Sequence, residues 1–163
     1  MNEPLRGRVL ALSPHLDDAV WSVGACLAAA VSAGADVTVM SVLAGDCASR
    51  GPAGRWDVQC GFRSAGAAAR ARGEEDRRAC AALGARPVHL PFWDETYDRG
   101  GDDDEVFDAL ALHLDRADAV LLPGFPASHG DHAWLARLVL SRKTFSARLA
   151  LYAEEPYAMW MLK

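Results

Sequence analysis

The sequence predicts an α/β fold: a single domain over residues 1–163, Rossmann-like and doubly wound, with a mostly parallel sheet in the order 3-2-1-4-5. Three observations predict it. Apolar runs of strand length recur without inside–outside alternation, as strands buried on both faces do. Alanine- and leucine-rich stretches of helical length separate them, which is the alternation of right-handed βαβ units. Two clusters of chemistry-bearing residues, at 13–18 and 129–132, each sit where such a strand passes into such a helix.

Arg8–Ser13 reads as the first strand. Asp17 or Asp18 is placed to cap the helix that follows, over the alanine-rich residues 19–31 and ending near Gly34. Residues 36–43 are β-branched and apolar, a second buried strand. Residues 44–61, rich in Gly, Pro, Asp and Ser, are expected as a long loop, a feature of functional segments in compact domains. Residues 63–83 form a long helix with Ala67, Ala71, Ala79 and Leu83 as candidate buried positions, weakened at Gly73 and stopped at Gly84. A short third strand over 87–91 leads into an irregular stretch, 92–105. Its acidic run, Asp102 to Glu105, suits a helix start, because carboxylates favour helix N-termini. A helix over 106–114, a strand over 118–122 broken by Pro123-Gly124, a helix over 131–145 and a strand over 149–153 complete the series.

The composition, 51% hydrophobic and 24% charged over 163 residues, is that of a globular chain with a sizeable core. A net charge of -5 with scattered arginines excludes a binder of nucleic-acid backbones. The four cysteines lack metal-type spacing and predict no disulfide framework. The N-terminus has no apolar leader, and the run over 19–31 is short of the roughly 20 residues that span a bilayer. A cytoplasmic protein without membrane contact is the expectation.

In the strand order 3-2-1-4-5, the first and fourth strands are neighbours whose connections leave to opposite sides. Their carboxyl ends form the topological switch point, where such sheets bind ligands. His15, Asp17 and Asp18 follow the first strand; His129, Asp131 and His132 follow the fourth. Three of the five histidines therefore converge with three carboxylates. Two imidazoles and a carboxylate make a catalytic zinc site with its fourth position open, and His15, Asp18 and His132 are the candidate ligands. Asp17 is the candidate base, His129 the candidate group for an oxyanion or a leaving amine, and Asp131 the candidate to orient His129. This set suits hydrolysis of an amide or ester by an activated water. His89 and His113 lie outside both clusters and read as structural or solvent-facing. Trp56 and Trp93 fit either a pocket rim or the core.

Ser13-Pro14-His15-Leu16-Asp17-Asp18 resembles the PHPDDE signature of the LmbE-like, or PIG-L-type, de-N-acetylases, and His129-Gly130-Asp131-His132 resembles their HPDH signature. Arg72-x-x-Glu75 with Ala79 and Leu83-Gly84 is similar to the family's R-x-x-E…A…LG helix. The resemblance runs from about Arg8 to about Tyr157. It implies a zinc-dependent hydrolase, with one Zn2+ per chain, that removes an acyl group, usually acetyl, from an amino sugar in a small metabolite. It assigns His15, Asp18 and His132 to the metal, Asp17 to the base, His129 and Asp131 to the transition state, and Arg72 and Asp94 to substrate.

This chain departs from the pattern at Leu16 and Gly130, where the family has prolines, and at Ala19, where it has glutamate. Many relatives also continue well past the fifth strand, so the domain reads as C-terminally short, with a site expected to be open, completed by another subunit, or incomplete because the sequence is truncated. The apolar run 157–162 suits an interface of a homo-oligomer. The same fold and metal leave open ester cleavage or lyase and cyclase chemistry on a natural product, and a non-catalytic binding subunit.

Overall fold

Five parallel strands form one sheet in the order β3-β2-β1-β4-β5: β1 Arg8–Ser13, β2 Asp36–Ser41, β3 Arg86–His89, β4 Ala119–Phe125 and β5 Arg148–Ala153. The order is the one expected from the alternation of strands and helices. The computed structural model describes residues 5–97, 99–142 and 144–161. Among these, the connections carry α1 (Asp18–Ser32), α2 (Arg55–Gln59), α3 (Ala65–Leu83), α4 (Asp103–Arg116), α5 (Gly130–Ser141) and α6 (Tyr157–Trp160). None of these helices is long and apolar enough to cross a membrane.

Successive residues of β1 face opposite sides of the sheet, and both sides are core. Val9 and Ala11 pack with Val37, Val39, Leu27, Ala30 and Cys80, under α1 and α3. Leu10 and Leu12 pack with Met40, Leu122, Leu110, Leu114 and Leu135, under α4 and α5. The first face is built of smaller side chains, which lets its two helices approach closely. A β-carbon at Gly24 of α1 would meet Leu83 of α3 at 3.6 Å. Val9 pairs with both Val37 and Ala119; β1 and β2 end level at Ser13 and Ser41, and β4 runs on past them to Phe125.

Several boundaries differ from the sequence reading, each for a local reason. The stretch 44–61 contains α2. In α3 the buried stripe is Ala65, Ala68, Gly73, Asp76 and Cys80, and the four expected positions are only half-buried. Gly73 serves that stripe by meeting the His89 ring, where a β-carbon would lie 3.6 Å away. Strand β4 continues through Pro123-Gly124. Beyond Leu121 it pairs with β5 alone, and a register shift between Pro123 and Phe125 accommodates the missing N–H. Helix α5 stops at Ser141, and Phe145 reaches the core from a non-helical segment. The acidic run starts α4 through a capping box between Asp102 and Glu105, and Arg142 pairs with Asp104.

Candidate active site

The turn from β1 into α1 presents three functional side chains in four residues. Pro14 and the buried Leu16 anchor it, and Asp17 takes a left-handed conformation at φ 79°. That conformation costs an L-residue about 1–2 kcal/mol, and aspartate tolerates it better than most. Neither Asp17 nor Asp18 caps the helix through its side chain. The hydroxyl of Ser13 accepts from the Ala19 N–H at 2.9 Å, which frees both carboxylates for the crevice. Ala19, where the family has glutamate, is buried against the sheet.

The start of α5 supplies the second half. His129 is its N-cap: Nδ1 accepts from the Asp131 N–H at 3.3 Å, so the neutral ring carries its proton on Nε2. His132 is buried in the first turn, with Nδ1 2.6 Å from the Glu154 carboxylate. Its Nε2 lies 3.2 Å from Asp18 Oδ2 and 3.3 Å from His15 Nδ1. His15 Nδ1 is in turn 3.1 Å from Asp18 Oδ2. Two imidazole nitrogens and one carboxylate oxygen thus form a tight triangle that can hold a metal ion. The donors fit a divalent ion of the zinc type, because the far nitrogen of each imidazole is held by a carboxylate. Glu154 holds His132, and Asp131 Oδ2 lies 3.1 Å from His15 Nε2.

Electrostatics follow this packing. Burial lowers the affinity of His15 for a proton, but its hydrogen bonds to Asp131 and Asp18 outweigh that and lift its pKa to about 9. Burial opposes charge on Asp18 and Asp131 too; their histidine partners, with Arg99 for Asp131, win and keep both far below the usual carboxylate range. Asp17 has no such partner. Its carboxylate opens to the crevice, yet desolvation and the neighbouring Asp18 charge push it up to about 6. His129 is lowered by burial and by the two nearby imidazoles.

Around this centre lies a cavity of about 560 Å³ at the carboxyl ends of β1 and β4. His15, Asp17, Asp18, His129 and Asp131 form its wall together with Arg72 and Asp94, so all the predicted residues except the buried His132 line one space. Arg72 lies 3.7 Å from Asp57, and Asp94 accepts from the Thr96 N–H at 2.8 Å. One expectation is corrected. The Asp131 carboxylate hydrogen-bonds His15 Nε2 and Arg99 Nη2, the latter at 2.9 Å, rather than the His129 ring, although one of its oxygens stays within 4.8 Å of a His129 nitrogen.

Sequence reading missed Glu154, Arg99 and Asp76. A carboxylate directly after the last apolar strand was a signal for Glu154; Arg99 and Asp76 carried none. Of the tryptophans, Trp56 stands at the rim with Trp21 and Trp160, all three more than 60% exposed. Trp93 instead packs against Tyr97, with ring centroids 4.9 Å apart and planes tilted by 50°, beside Gly45. From the C-terminal run, Tyr157 and Trp160 face the cavity, Met159 and Met161 are exposed, and Leu162 lies outside the described residues.

An open parallel sheet with imidazoles and carboxylates gathered at its switch point defines the class: an α/β protein built to carry out polar chemistry there. The family model described as PIG-L, GlcNAc-PI de-N-acetylase, matches residues 10–143, and the chain belongs to that family. It is similar to the A40926 pseudoaglycone deacetylase Dbv21 (32% identity over 95% of this chain and 66% of that one, TM-score 0.77). It is also similar to a triple mutant of a deacetylase of the teicoplanin biosynthetic pathway, Orf2*T (33%, 94% and 66%, 0.80). A third similar structure is the zinc-inhibited form of teicoplanin deacetylase Orf2 (27%, 94% and 70%, 0.79). The chain spans 66% of the length of the first two. No curated protein matches it significantly.

Proposed function

We propose that this chain is a zinc-dependent amide hydrolase that removes an N-acetyl group from an amino-sugar-containing metabolite. The observation that carries the reading is the triangle of His15, Asp18 and His132, with Asp17 and His129 beside it on one cavity wall. Membership of the de-N-acetylase family and likeness to glycopeptide-pathway deacetylases support it.

His15 Nδ1, an Asp18 oxygen and His132 Nε2 would hold one zinc ion per chain. Bound there, zinc supplies Lewis acidity to water and to the amide carbonyl. Asp17, left out of the triangle and least stabilised as an anion, accepts the proton of the attacking water. The amide C–N bond breaks, the water oxygen ends in acetate, and the proton leaves with the amine. His129, with its proton on Nε2, donates to the oxygen that gains charge. Asp131 holds His15 rather than His129, so its part is to orient a ligand. Arg72 and Asp94 bind hydroxyl groups of the sugar. The exposed rings of Trp21, Trp56 and Trp160 give the mouth an apolar border. They would stack on sugar faces and on an apolar scaffold carrying the sugar.

The test is hydrolysis of a panel of N-acetyl amino sugars, free and carried on apolar aglycones, beside their O-acetyl analogues. Acetate release is measured before and after chelation and zinc return. Release from the N-acetyl compounds, lost on chelation and restored by zinc, is the expected result. Release from esters alone would overturn it.

A further inference from the structure

A buried carboxylate lies behind the Asp17 turn and takes no part in the reaction outlined above. Asp76, on the inner face of α3, is 1% exposed. Its Oδ1 accepts from the backbone N–H of Asp17 at 3.0 Å. Its Oδ2 lies 2.7 Å from Nε2 of His89, in β3, and 3.9 Å from the Cys80 thiol. The His89 ring packs against α3 beside Gly73, one turn earlier, where a β-carbon would meet it in ordinary contact at 3.6 Å. A chain of contacts thus runs from the far edge of the sheet, through α3, to the left-handed residue at the crevice.

A carboxylate is costly to bury without donors, and this one has its donors from three separate elements. One of them is the N–H of Asp17, which with Ala127 is one of two non-glycine residues of positive φ among the described residues. Ser13 caps Ala19 and Asp18 holds the His15 N–H, but Asp17 makes no cap bond through its own side chain, and its N–H is held by the bond to Asp76. Losing it allows the backbone to relax toward the right-handed region and swings the Asp17 carboxylate away from the triangle. Ligands His15 and Asp18 are fastened independently: the Asp18 carboxylate accepts from the His15 N–H at 2.8 Å, and Ser13 caps Ala19.

We infer that Asp76, held by His89, is a positioning residue that maintains Asp17 in its left-handed, crevice-facing conformation. Its effect on turnover rests on the hydrolase reading given above; its effect on the Asp17 backbone does not. Two readouts therefore separate the two claims.

The first is amide hydrogen exchange at Asp17 in the full-length protein. Asp76→Ala should speed exchange of that N–H by about tenfold or more, leaving the Ala19 N–H, capped by Ser13, unchanged. Asp76→Asn, which keeps an acceptor oxygen, should retain the protection. Unchanged Asp17 exchange in Asp76→Ala overturns the inference whatever the activity.

The second is steady-state kinetics on any substrate the wild type hydrolyses. Asp76→Ala should lower kcat by about 10–100-fold with bound metal and KM unchanged, and Asp76→Asn should recover most of it. Loss of metal in Asp76→Ala, or equal damage by Asn and Ala, would mean a general structural role and overturn the assignment. If Asp76→Ala fails to fold, His89→Leu gives the same test from the other end. It should raise Asp17 exchange and lower kcat by several-fold, and His89→Gln should reverse both, since it restores a donor to Oδ2. A His89→Leu protein equal to wild type in both readouts overturns the inference. Wild-type protein without hydrolysis of any N-acetyl substrate would remove the proposed function and leave the exchange result to decide the brace.

Discussion

At the β1–α1 turn the functional side chains are aimed by the backbone: a left-handed Asp17, a Ser13 cap and an Asp18 oxygen bonded to the His15 N–H. At the start of α5 they are aimed by partner side chains from elsewhere: Glu154 behind His132, and Arg99 on Asp131. The first arm is mostly local in sequence; its two outside partners are Asp76 of α3, on the Asp17 N–H, and Asp131, on His15 Nε2. The second is assembled from β4, α5, the end of β5 and the irregular stretch before α4. In the proposed reading, such a site keeps its base in a turn fixed by short-range hydrogen bonds, and carboxylates distant in sequence orient the imidazoles.

The sharpest way to break the comparison is to remove one residue from each arm. His132→Ala removes a member of the triangle and leaves Glu154 buried without its partner. Bound zinc and hydrolysis should both vanish, with metal read by elemental analysis. Asp17→Ala should abolish hydrolysis as well, by about 10²–10⁴-fold, but keep one zinc per chain. Full hydrolysis by Asp17→Ala would dismiss it as the base.

A smaller effect separates orientation from ligation. Glu154→Gln preserves size but weakens the hold on His132 Nδ1, so zinc affinity should fall by about 10–100-fold in a chelator competition. An unchanged affinity would mean that His132 keeps its orientation without the Glu154 charge.

The mouth is next. Trp21→Ala should raise KM about tenfold, which is about 1.4 kcal/mol, for an N-acetyl sugar on an apolar scaffold, and much less for the free sugar. Equal change for both would detach the tryptophan border from substrate recognition. The smallest effect lies far from both arms: Asp102→Ala removes the α4 cap and should cost about 1 kcal/mol in thermal or urea unfolding with kcat untouched.

Much of this could be read before any coordinates. Unalternating apolar runs of strand length such as Arg8–Ser13 suit strands covered on both sides, and their alternation with helices points to a doubly wound parallel sheet. The order alone brings His15 and His132 to one crevice. Local chemistry misled where tertiary contacts took over. Pro123-Gly124 reads as a break, but its strand has a neighbour on only one side there. Ala67 and Ala71 read as the buried face of α3, yet the helix turns a carboxylate, Asp76, toward the sheet, because His89 and the Asp17 N–H wait for it.

By itself, the sequence determined the fold class, the strand order and the identity of the residues that meet at the switch point, since these follow from periodicity and from short motifs. Only the tertiary structure decided which carboxylate serves which imidazole. Asp131 went to His15, Glu154 to His132 and Asp76 to the Asp17 backbone. Hydrogen-bond partners are chosen over a few ångströms between elements dozens of residues apart, a distance that no spacing along the chain encodes.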